Sequence, residues 1–327
     1  MKAPPDIKGL LILPRLRIQN ANAISSPMTH GFPSITAFLG LMWALERKLG
    51  EHHALTLDAV GVICHHFEEQ VTAEGYPRAF RLTRNPVDKD GSTAAIVEEG
   101  RIHLDLTLVF GVRGAALDAS DDEKQATAQA VADAVAESRV AGGSVIPSMA
   151  PVRQPSPQLV PLGDAFEDRA KALRKLRRRW LPGFALVCRD DLLQSRLDEL
   201  RTANPDASAL DAWLHSSRLN WCAVQSAQAD GGTSVEWKFD ERKGWIVPIP
   251  VGYGALTDVY PAGAVTHARD SRTPLRFVES LYSLGEWVSP HRITDINALL
   301  WYGDAEEASG LYRARNAYSN FAATIQN

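Results

Sequence analysis

Apolar and polar positions alternate along the first half of the chain with two different periods. Runs in which every second residue is apolar, or in which apolar residues are continuous, predict strands, and apolar residues three and four positions apart predict helices. On this basis we predict strands at Lys8–Ile18, Leu57–Phe67, Arg101–Val112 and Ser144–Pro147, and helices from Ser34 to about Gly50 and over Asp121–Val140. Ser34 is the expected N-cap of the first helix, and Gly142-Gly143 ends the second.

These six elements follow one another in the order β-α-β-β-α-β. This order is typical of a ferredoxin-like or RRM-like fold, so we predict an α+β core in residues 1–150. Val71–Gly100, with the turn signal Asp90-Gly91, predicts an arm inserted into this core at about residues 70–100. The basic residues of the arm are Arg78, Arg81, Arg84 and Lys89.

Residues 151–327 are predicted to form an α/β extension that completes a single compact subunit. The proline-rich stretch Ser148–Pro161 separates it from the core. The predicted elements are helices at Asp164–Trp180, Asp190–Thr202 and Asp206–Ser217 and a strand at Gly183–Cys188. We predict a flexible surface loop at Ala223–Ser234 and strands with turns in the C-terminal third.

The overall charge limits how this chain could bind nucleic acid. The 327 residues carry a formal net charge of −4, so a nucleic-acid interface would have to be a local basic patch. Three widely spaced cysteines argue against a disulfide framework or zinc site and favour a reducing cytoplasm. No apolar run is long enough for a signal peptide core or a bilayer span, and no pattern predicts a metal or other cofactor.

One predicted helix carries the strongest basic patch. Seven of the eleven residues in Arg169–Arg179 are lysine or arginine, while Leu173, Leu176 and Trp180 form its apolar stripe. This bias predicts contact with nucleic-acid phosphates, because each neutralised phosphate releases counterions. The alternative is a basic face that docks on an acidic protein neighbour. The candidate nucleic-acid backbone patch comprises Lys171, Arg174, Lys175, Arg177, Arg178 and Arg179.

The segment between the first strand and the first helix is dense in cations, amides and hydroxyls. Side-chain amides and hydroxyls read base edges and 2′-hydroxyls, and arginine binds phosphate or stacks on bases. The alternative is a loop whose side chains bond to one another. With the arm, the candidate RNA-binding residues are Arg15, Arg17, Gln19, Asn20, Asn22, Ser25, Ser26, His30, Ser34, Arg81, Arg84 and Asn85.

Two histidine positions could carry chemistry. His65 and His66 lie on a predicted strand, where neighbouring side chains point to opposite faces, so we expect one satisfied and one exposed histidine rather than a metal or acid–base site. His30 could act as a general base toward an RNA 2′-hydroxyl, which would make the protein a processing nuclease. The sequence identifies no partner acid or second histidine for it, so this is the alternative hypothesis.

Six blocks of the sequence closely resemble one family, the second subunit of the Csy complex, which is the type I-F CRISPR surveillance complex of bacteria. The resemblance runs nearly end to end, is weak over Ala203–Val235, and places His30 where the family often has an aromatic residue. The blocks are PRLRIQNANAISSPMTHGFPSITAF, LTRNPVDKDGSTAAIVEEGRIHL, AGGS at Ala141–Ser144, LPGFALV, GWIVPIPVGYGAL and TPLRFVESLYSLGEWVSPHR.

The resemblance implies a non-catalytic RAMP-type subunit with a ferredoxin-like core and an inserted thumb. It implies that the subunit pairs with the large Csy subunit and that the two hold the 5′ handle of the CRISPR RNA. The implied further partners are the repeated backbone subunits, target double-stranded DNA reached through the complex, and phage anti-CRISPR proteins. The alternatives are a metal-independent endoribonuclease of the same fold and a pure protein adaptor.

Overall fold

The described part of the chain contains eighteen strands and seven α-helices. The computed structural model describes residues 3–50, 54–73, 75, 78–84, 86–88, 90–147, 155–227, 233–240, 244–268 and 270–325. The strands are β1 (Gly9–Asn22), β2 (Ile24–Ser26), β3 (Thr29–His30), β4 (Thr56–Glu69), β5 (Val71–Ala73), β6 (Arg78–Thr83), β7 (Val97–Glu99), β8 (Arg101–Arg113), β9 (Arg139–Val140), β10 (Gly143–Ile146), β11 (Gln158–Pro161), β12 (Phe184–Cys188), β13 (Trp221–Ala227), β14 (Thr233–Phe239), β15 (Trp245–Ala255), β16 (Val278–Val288), β17 (Trp301–Glu306) and β18 (Leu311–Asn316). The helices are α1 (Ile35–Leu49), α2 (Asp121–Ala136), α3 (Phe166–Arg179), α4 (Asp190–Ala203), α5 (Ala209–Ser217), α6 (Ile296–Leu299) and α7 (Tyr318–Ile325), with 3₁₀ turns at Ala115–Asp118 and Pro290–Arg292.

A large antiparallel sheet organises the first half of the chain. Its successive neighbours are β4, β8, β1, β10 and β9, and β11 pairs with the first residues of β1 beside β10. Each pair of neighbours in this run is antiparallel. The helices α1 and α2 lie in the connections from β1 to β4 and from β8 to β10, as predicted from the sequence. The predicted α+β class is therefore confirmed.

Both faces of this sheet are covered where β1 begins. Leu11 and Leu13 point into a core that includes residues of α1 and α2, and Leu10 and Ile12 point into a second core that includes residues of α3. All four side chains are at most 5% exposed. Burial on both faces is the reason that the start of β1 is a continuous apolar run instead of an alternating one.

The second half of the chain closes a ring of six strands on the free edge of β4. That edge pairs with β17 at Val60 and with β12 at Ile63 and Cys64. From β17 the ring continues through β18, β15 and β16 and returns to β12. Across the ring, the indole Nε1 of Trp301 donates a hydrogen bond of 2.8 Å to the Leu186 carbonyl oxygen. The residues after position 155 thus complete the sheet that the first half begins.

Gly252 in β15 allows the closest approach between two strands of the ring. A Cβ at this position would lie 2.0 Å from the Tyr312 carbonyl oxygen, which is a backbone atom of the neighbouring strand β18. We expect Gly252→Ala to lower the free energy of unfolding by about 3 kcal/mol, because the two backbones must separate. Urea denaturation measures this change.

Gly254 supplies the control for this prediction in the same strand. A Cβ there would meet only side-chain atoms of Leu281 and Leu311, at 3.5 and 3.6 Å. We expect Gly254→Ala to change the free energy of unfolding by less than about 1 kcal/mol. Equal effects of the two substitutions would show that the contact between β15 and β18 does not require glycine.

Three predictions of local structure are wrong. The polar segment after Ile18 is not a connecting loop, because β1 continues to Asn22 and is followed by the short hairpin of β2 and β3. In the predicted loop Ala223–Ser234, residues 223–227 and 233–234 belong to the strands β13 and β14, in which Trp221 pairs with Phe239, and residues 228–232 lie outside the described residues. The second helix ends at Ala136 instead of Val140, since its last residues turn into β9.

The insertion in the core is a separate small sheet of three strands instead of a single hairpin. Its order is β5, β6, β7, and it leaves the main sheet between the end of β4 and the start of β8. The candidate residue Asn85 and the basic residue Lys89 lie outside the described residues. The predicted domain boundary near residue 150 also lies outside them, and the division into two parts stays a prediction. Among the helices of the described residues, none has both the length and the apolar content that a bilayer span needs.

Candidate nucleic-acid interface

The strand β1 changes character at two bulges. Its register against β8 shifts between Leu13 and Leu16 and again between Ile18 and Ala21. Arg15 and Asn20 occupy these shifts with φ values of 53° and 56°, a left-handed conformation that is uncommon outside glycine. Ile18 still points into the core, so the exposed residues between the bulges, Arg17 and Gln19, point to the opposite face. The second face of the sheet, apolar under α3, thereby becomes polar and open at this end.

A chain of hydrogen bonds holds the polar end of the sheet. The Nδ1 of His65 is 2.6 Å from the Pro182 carbonyl oxygen, which accepts only, so Nδ1 carries the proton. Its Nε2, 2.8 Å from Oγ1 of Thr107, then accepts from that hydroxyl, and the Arg15 backbone N–H donates to Oγ1. Burial lowers the pKa of His65 and favours this neutral ring. The guanidinium of Arg15 also pairs with Asp105 at 3.3 Å.

These contacts test the expectations for the paired histidines. His65 is half-buried and has a partner for each ring nitrogen, whereas His66 is exposed, which confirms the expected division. The nearby thiol of Cys64 is no nucleophile, because burial, with a smaller contribution from Asp105, raises its pKa to about 12. His30 lies against the arm, with its ring centroid 4.8 Å from that of Phe80.

Several candidate residues of the opening segment hold the local backbone. The Asn22 amide bonds both backbone groups of Ile24, at 2.7 and 3.1 Å. The hydroxyls of Ser25 and Ser26 lie 2.8 and 2.6 Å from that of Thr29, inside the hairpin of β2 and β3. Ser34 caps α1 by accepting from the backbone N–H of Thr36. These four side chains therefore fit the alternative interpretation, in which the side chains of the segment bond to one another. Arg17, Gln19 and Asn20 remain exposed on the strand.

A basic cleft of about 310 Å³ lies where the arm meets the end of β1 and the turn after β9. Its lining contains three arginines and a single acidic residue. Arg81 donates to Gln70 at 2.8 Å, and Arg139 donates to the Gly142 carbonyl oxygen at 3.1 Å. Arg101 pairs with Glu99 at 3.0 Å. The lining residues are Asn20, Gln70, Arg81, Thr83, Glu99, Arg101, Arg139 and Gly142, which we call the arm cleft.

Sequence reasoning missed two of the three arginines in the arm cleft. Arg101 begins β8 and Arg139 forms β9, so each is a single cation in an otherwise ordinary stretch. The only sequence signal near Arg139 was Gly142-Gly143, which predicts a turn at that point of the chain. Of the predicted arm residues, Arg81 lines the cleft, and Arg84 is exposed near the end of β6.

The basic helix α3 divides its cations between structural contacts and the surface. Leu173, Leu176 and Trp180 are buried, as predicted. Arg177 donates to the carbonyl oxygens of His291 and Ile293 at 2.9 and 3.0 Å, and Arg179 donates to Gln158 at 2.8 Å. The remaining cations of the predicted patch are exposed and have no hydrogen bond or ion pair to other described residues. They are Lys171, Arg174, Lys175 and Arg178, which we call the α3 patch.

The α3 patch and the polar end of the sheet are close to each other. The turn after α3 contains Pro182, whose carbonyl oxygen accepts from His65. His65 is linked through Thr107 to Arg15 of β1. The C-terminal end of the basic helix therefore adjoins the open end of the sheet.

Comparison with known proteins identifies the family of this chain. The model of the family "CRISPR-associated protein (Cas_Csy2)" matches residues 11–314. A protein of Pseudomonas aeruginosa (strain UCBPP-PA14), described as CRISPR-associated protein Csy2, is 50% identical over 314 residues, which cover 94% of this chain and 95% of that protein. The chain belongs to the Csy2 family. The resemblance found in the sequence is confirmed, and the Csy2 match includes the arm cleft, α3 and the closed ring.

Proposed function

We propose that this Csy2-family protein is a non-catalytic RNA-binding subunit of the type I-F CRISPR surveillance complex. Together with the large Csy subunit it holds the 5′ handle of the CRISPR RNA and supports recognition of double-stranded DNA by the guide. The observation that carries the proposal is the convergence of cations from the arm, β8 and β9 in the arm cleft, in a chain whose net charge is −4. Unpaired RNA with splayed bases fits such a cleft better than a duplex does.

The strand order supports a ferredoxin-like core of the RAMP type. The neighbours β4, β8, β1 and β10 correspond to the second, third, first and fourth strands of a β-α-β-β-α-β unit, with both helices on one face. The other face, which is open in many RNA-binding domains of this kind, is covered here by α3 along its apolar half. RNA would therefore lie at the polar end of that face, with the three-stranded arm as the thumb over it.

The geometry gives less support to the nuclease hypothesis. The hypothesis names His30 as the general base, and the ring of His30 packs against Phe80 of the arm, which suits a stacking or positioning role. His65 is no substitute base, because a base needs a free ring nitrogen and both of its nitrogens are engaged. The nuclease therefore stays the alternative, and the cleavage assay below tests it.

Two arginines at opposite ends of β8 provide the experiment. Arg101 and Arg113 each pair with one nearby acid, Glu99 and Asp58, but only Arg101 lines the arm cleft. We would express the chain with the genes beside its own and a CRISPR array, purify it through a tag, and sequence the RNA that comes with it. The wild type should carry intact guides with their 5′ handle.

The variants decide which residues hold that RNA. We expect Arg101→Ala combined with Arg139→Ala to lower the recovered guide RNA several-fold at about 0.3 M salt, because two phosphate contacts are lost. Arg113→Ala should leave recovery at the wild-type level. Partner proteins that co-purify without RNA would refute the RNA-binding function, and RNA newly cut by the purified chain alone would support the nuclease instead.

A further inference from the structure

An aromatic cavity opens beside the candidate interface. It has a volume of about 370 Å³ and lies where the segment from Ser25 to Pro33 meets the end of β4 and the ring strands β12, β15 and β16. Its size is within the range of small-ligand sites, about 300–1,000 Å³. We call it the aromatic cavity, and its rings are Phe32, Phe67, Phe184, Trp245 and Trp287.

The rings of the aromatic cavity form a fixed floor and an accessible mouth. Trp287 is 9% exposed and is held by Phe32, edge-to-face at 4.8 Å. Phe67, Phe184 and Trp245, by contrast, are 46%, 44% and 45% exposed. Phe184 meets Trp245 at 5.3 Å and an interplanar angle of 76°, a contact that covers a face of only one of the two rings. Three half-exposed rings around one opening indicate a surface that is covered when a ligand binds.

Polar groups at the mouth favour a nucleobase over an aliphatic side chain. The exposed His66 and the carboxylate of Glu69 line the same cavity, so a ligand there meets both ring faces and hydrogen-bonding groups. A nucleobase presents a π-face and a polar edge, so it can stack on the rings and also bond to these groups, whereas an apolar side chain can only pack against the rings. Arg78 of the arm pairs with Glu69 at 3.5 Å, so a cation lies directly beside the lining of the cavity.

The cavity is also continuous with the segment that carries the candidate RNA-binding residues. Ser25 and His30 line it, and His30 in turn touches the arm through Phe80. We propose that the aromatic cavity binds one unstacked nucleobase of single-stranded RNA, so that the subunit reads one position of its RNA by stacking. This inference rests on the RNA-binding function proposed above and adds a specific subsite to it.

The test combines a ring substitution with the removal of one base. The complex is assembled on a synthetic CRISPR RNA in which each nucleotide of the 5′ segment is replaced, one at a time, by an abasic site, and the dissociation constant is measured by fluorescence anisotropy. Trp245→Ala is expected to weaken binding of the intact RNA about tenfold. At one position, removal of the base should weaken binding by the wild type as much as Trp245→Ala weakens binding of the intact RNA. The same abasic RNA should bind the Trp245→Ala variant no more weakly than the intact RNA does.

Two controls isolate the ring in the cavity. Trp237→Ala removes a 63% exposed tryptophan from the hairpin of β13 and β14, which contributes no residue to the lining of the cavity, and should leave the affinity unchanged. Trp245→Phe keeps a ring and should retain most of the affinity. If Trp245→Ala lowers the melting temperature, Phe67→Leu provides the same test, since it keeps the apolar bulk and removes the ring.

The outcomes separate this inference from the function on which it rests. If the wild-type complex binds no RNA, the RNA-binding function itself is wrong. A second outcome has three parts: the wild type binds RNA, Arg101→Ala with Arg139→Ala weakens that binding, and the loss of affinity at every abasic position adds to the loss caused by Trp245→Ala. In that case only the nucleobase cavity is overturned. If Trp245→Ala leaves RNA affinity intact but lowers recovery of a protein subunit, the cavity binds a protein side chain and the inference is likewise overturned.

Discussion

Replacement of the α3 patch by four glutamates is expected to lower the nucleic-acid affinity of the assembled complex by about a hundredfold at about 0.15 M salt. The physical reason is that exposed cations without intramolecular partners are available to neutralise phosphates. Each phosphate contact to duplex DNA adds about 0.9 to the slope of log affinity against log salt, and each to a single strand about 0.7. We therefore expect the slope to fall by about three, measured by a salt series with RNA and with duplex DNA.

Two variants of the same helix control for charge and for stability. Arg174→Lys combined with Arg178→Lys keeps the charge and should keep most of the affinity, because phosphate attraction does not need the guanidinium shape. Arg177→Ala should act on the melting temperature instead, since Arg177 bonds the carbonyl oxygens of His291 and Ile293. An unchanged salt slope in the glutamate variant would mean that α3 faces an acidic protein surface.

Glu286→Ala is expected to lower the free energy of unfolding of the chain by about 3–5 kcal/mol. Glu286 is 1% exposed and lies between two cations: Arg189, itself 5% exposed, and Arg292, whose Nη1 is 2.9 Å from Oε1. Without the carboxylate, Arg189 keeps only Asp191 as a described ion-pair partner and stays buried with less compensation. The contact also joins β16 to the turns that flank β12 and α6, so urea denaturation should report it as a cooperative loss.

Glu236→Ala is the matched control. Glu236 lies on the exposed hairpin strand β14 and pairs with Lys238 at 3.1 Å, with both side chains more than half exposed. Solvent screens such a pair, and its loss should cost less than about 1 kcal/mol. If Glu286→Ala costs no more than Glu236→Ala, the buried network contributes no net stability and Arg189 is satisfied by Asp191.

The sequence predicts the elements of the core well because each has a single period. The strands β4 and β8 and the helix α1 lie within a few residues of their predicted bounds, since at least one side of each is buried over most of its length. β1 is the exception: its second half is exposed on one face and bulged at Arg15 and Asn20, so its polar residues resemble a loop.

The closure of the ring could not be predicted. It depends on pairs such as Val60 with Trp301 and Ile63 with Ala185, and hydrophobic periodicity names no partner for a strand. The hairpin of β13 and β14 was missed for a related reason. Its apolar residues are exposed, so its alternation does not indicate burial.

The candidate site was predictable in kind but not in detail. The basic bias of α3 is visible in its composition, but the loss of Arg177 and Arg179 to structural contacts is not, because their acceptors lie 114 and 21 residues away. Arg101 and Arg139 become neighbours only when the arm, β8 and β9 meet. Local sequence therefore predicts a phosphate-binding surface, and the tertiary fold determines which of its cations stay free of structural contacts.

The closed ring also determines how this subunit can meet its neighbours in an assembly. Within the described part of the main sheet, every ring strand has a partner on each side over at least part of its length, and the sheet ends at β9, with two residues, and at β11, with four residues ending in Pro161. A long free edge is a template on which another chain adds its own strand, and these two ends are too short to serve as one. A neighbouring chain is therefore expected to meet the ends of this sheet through side chains and not by adding a strand.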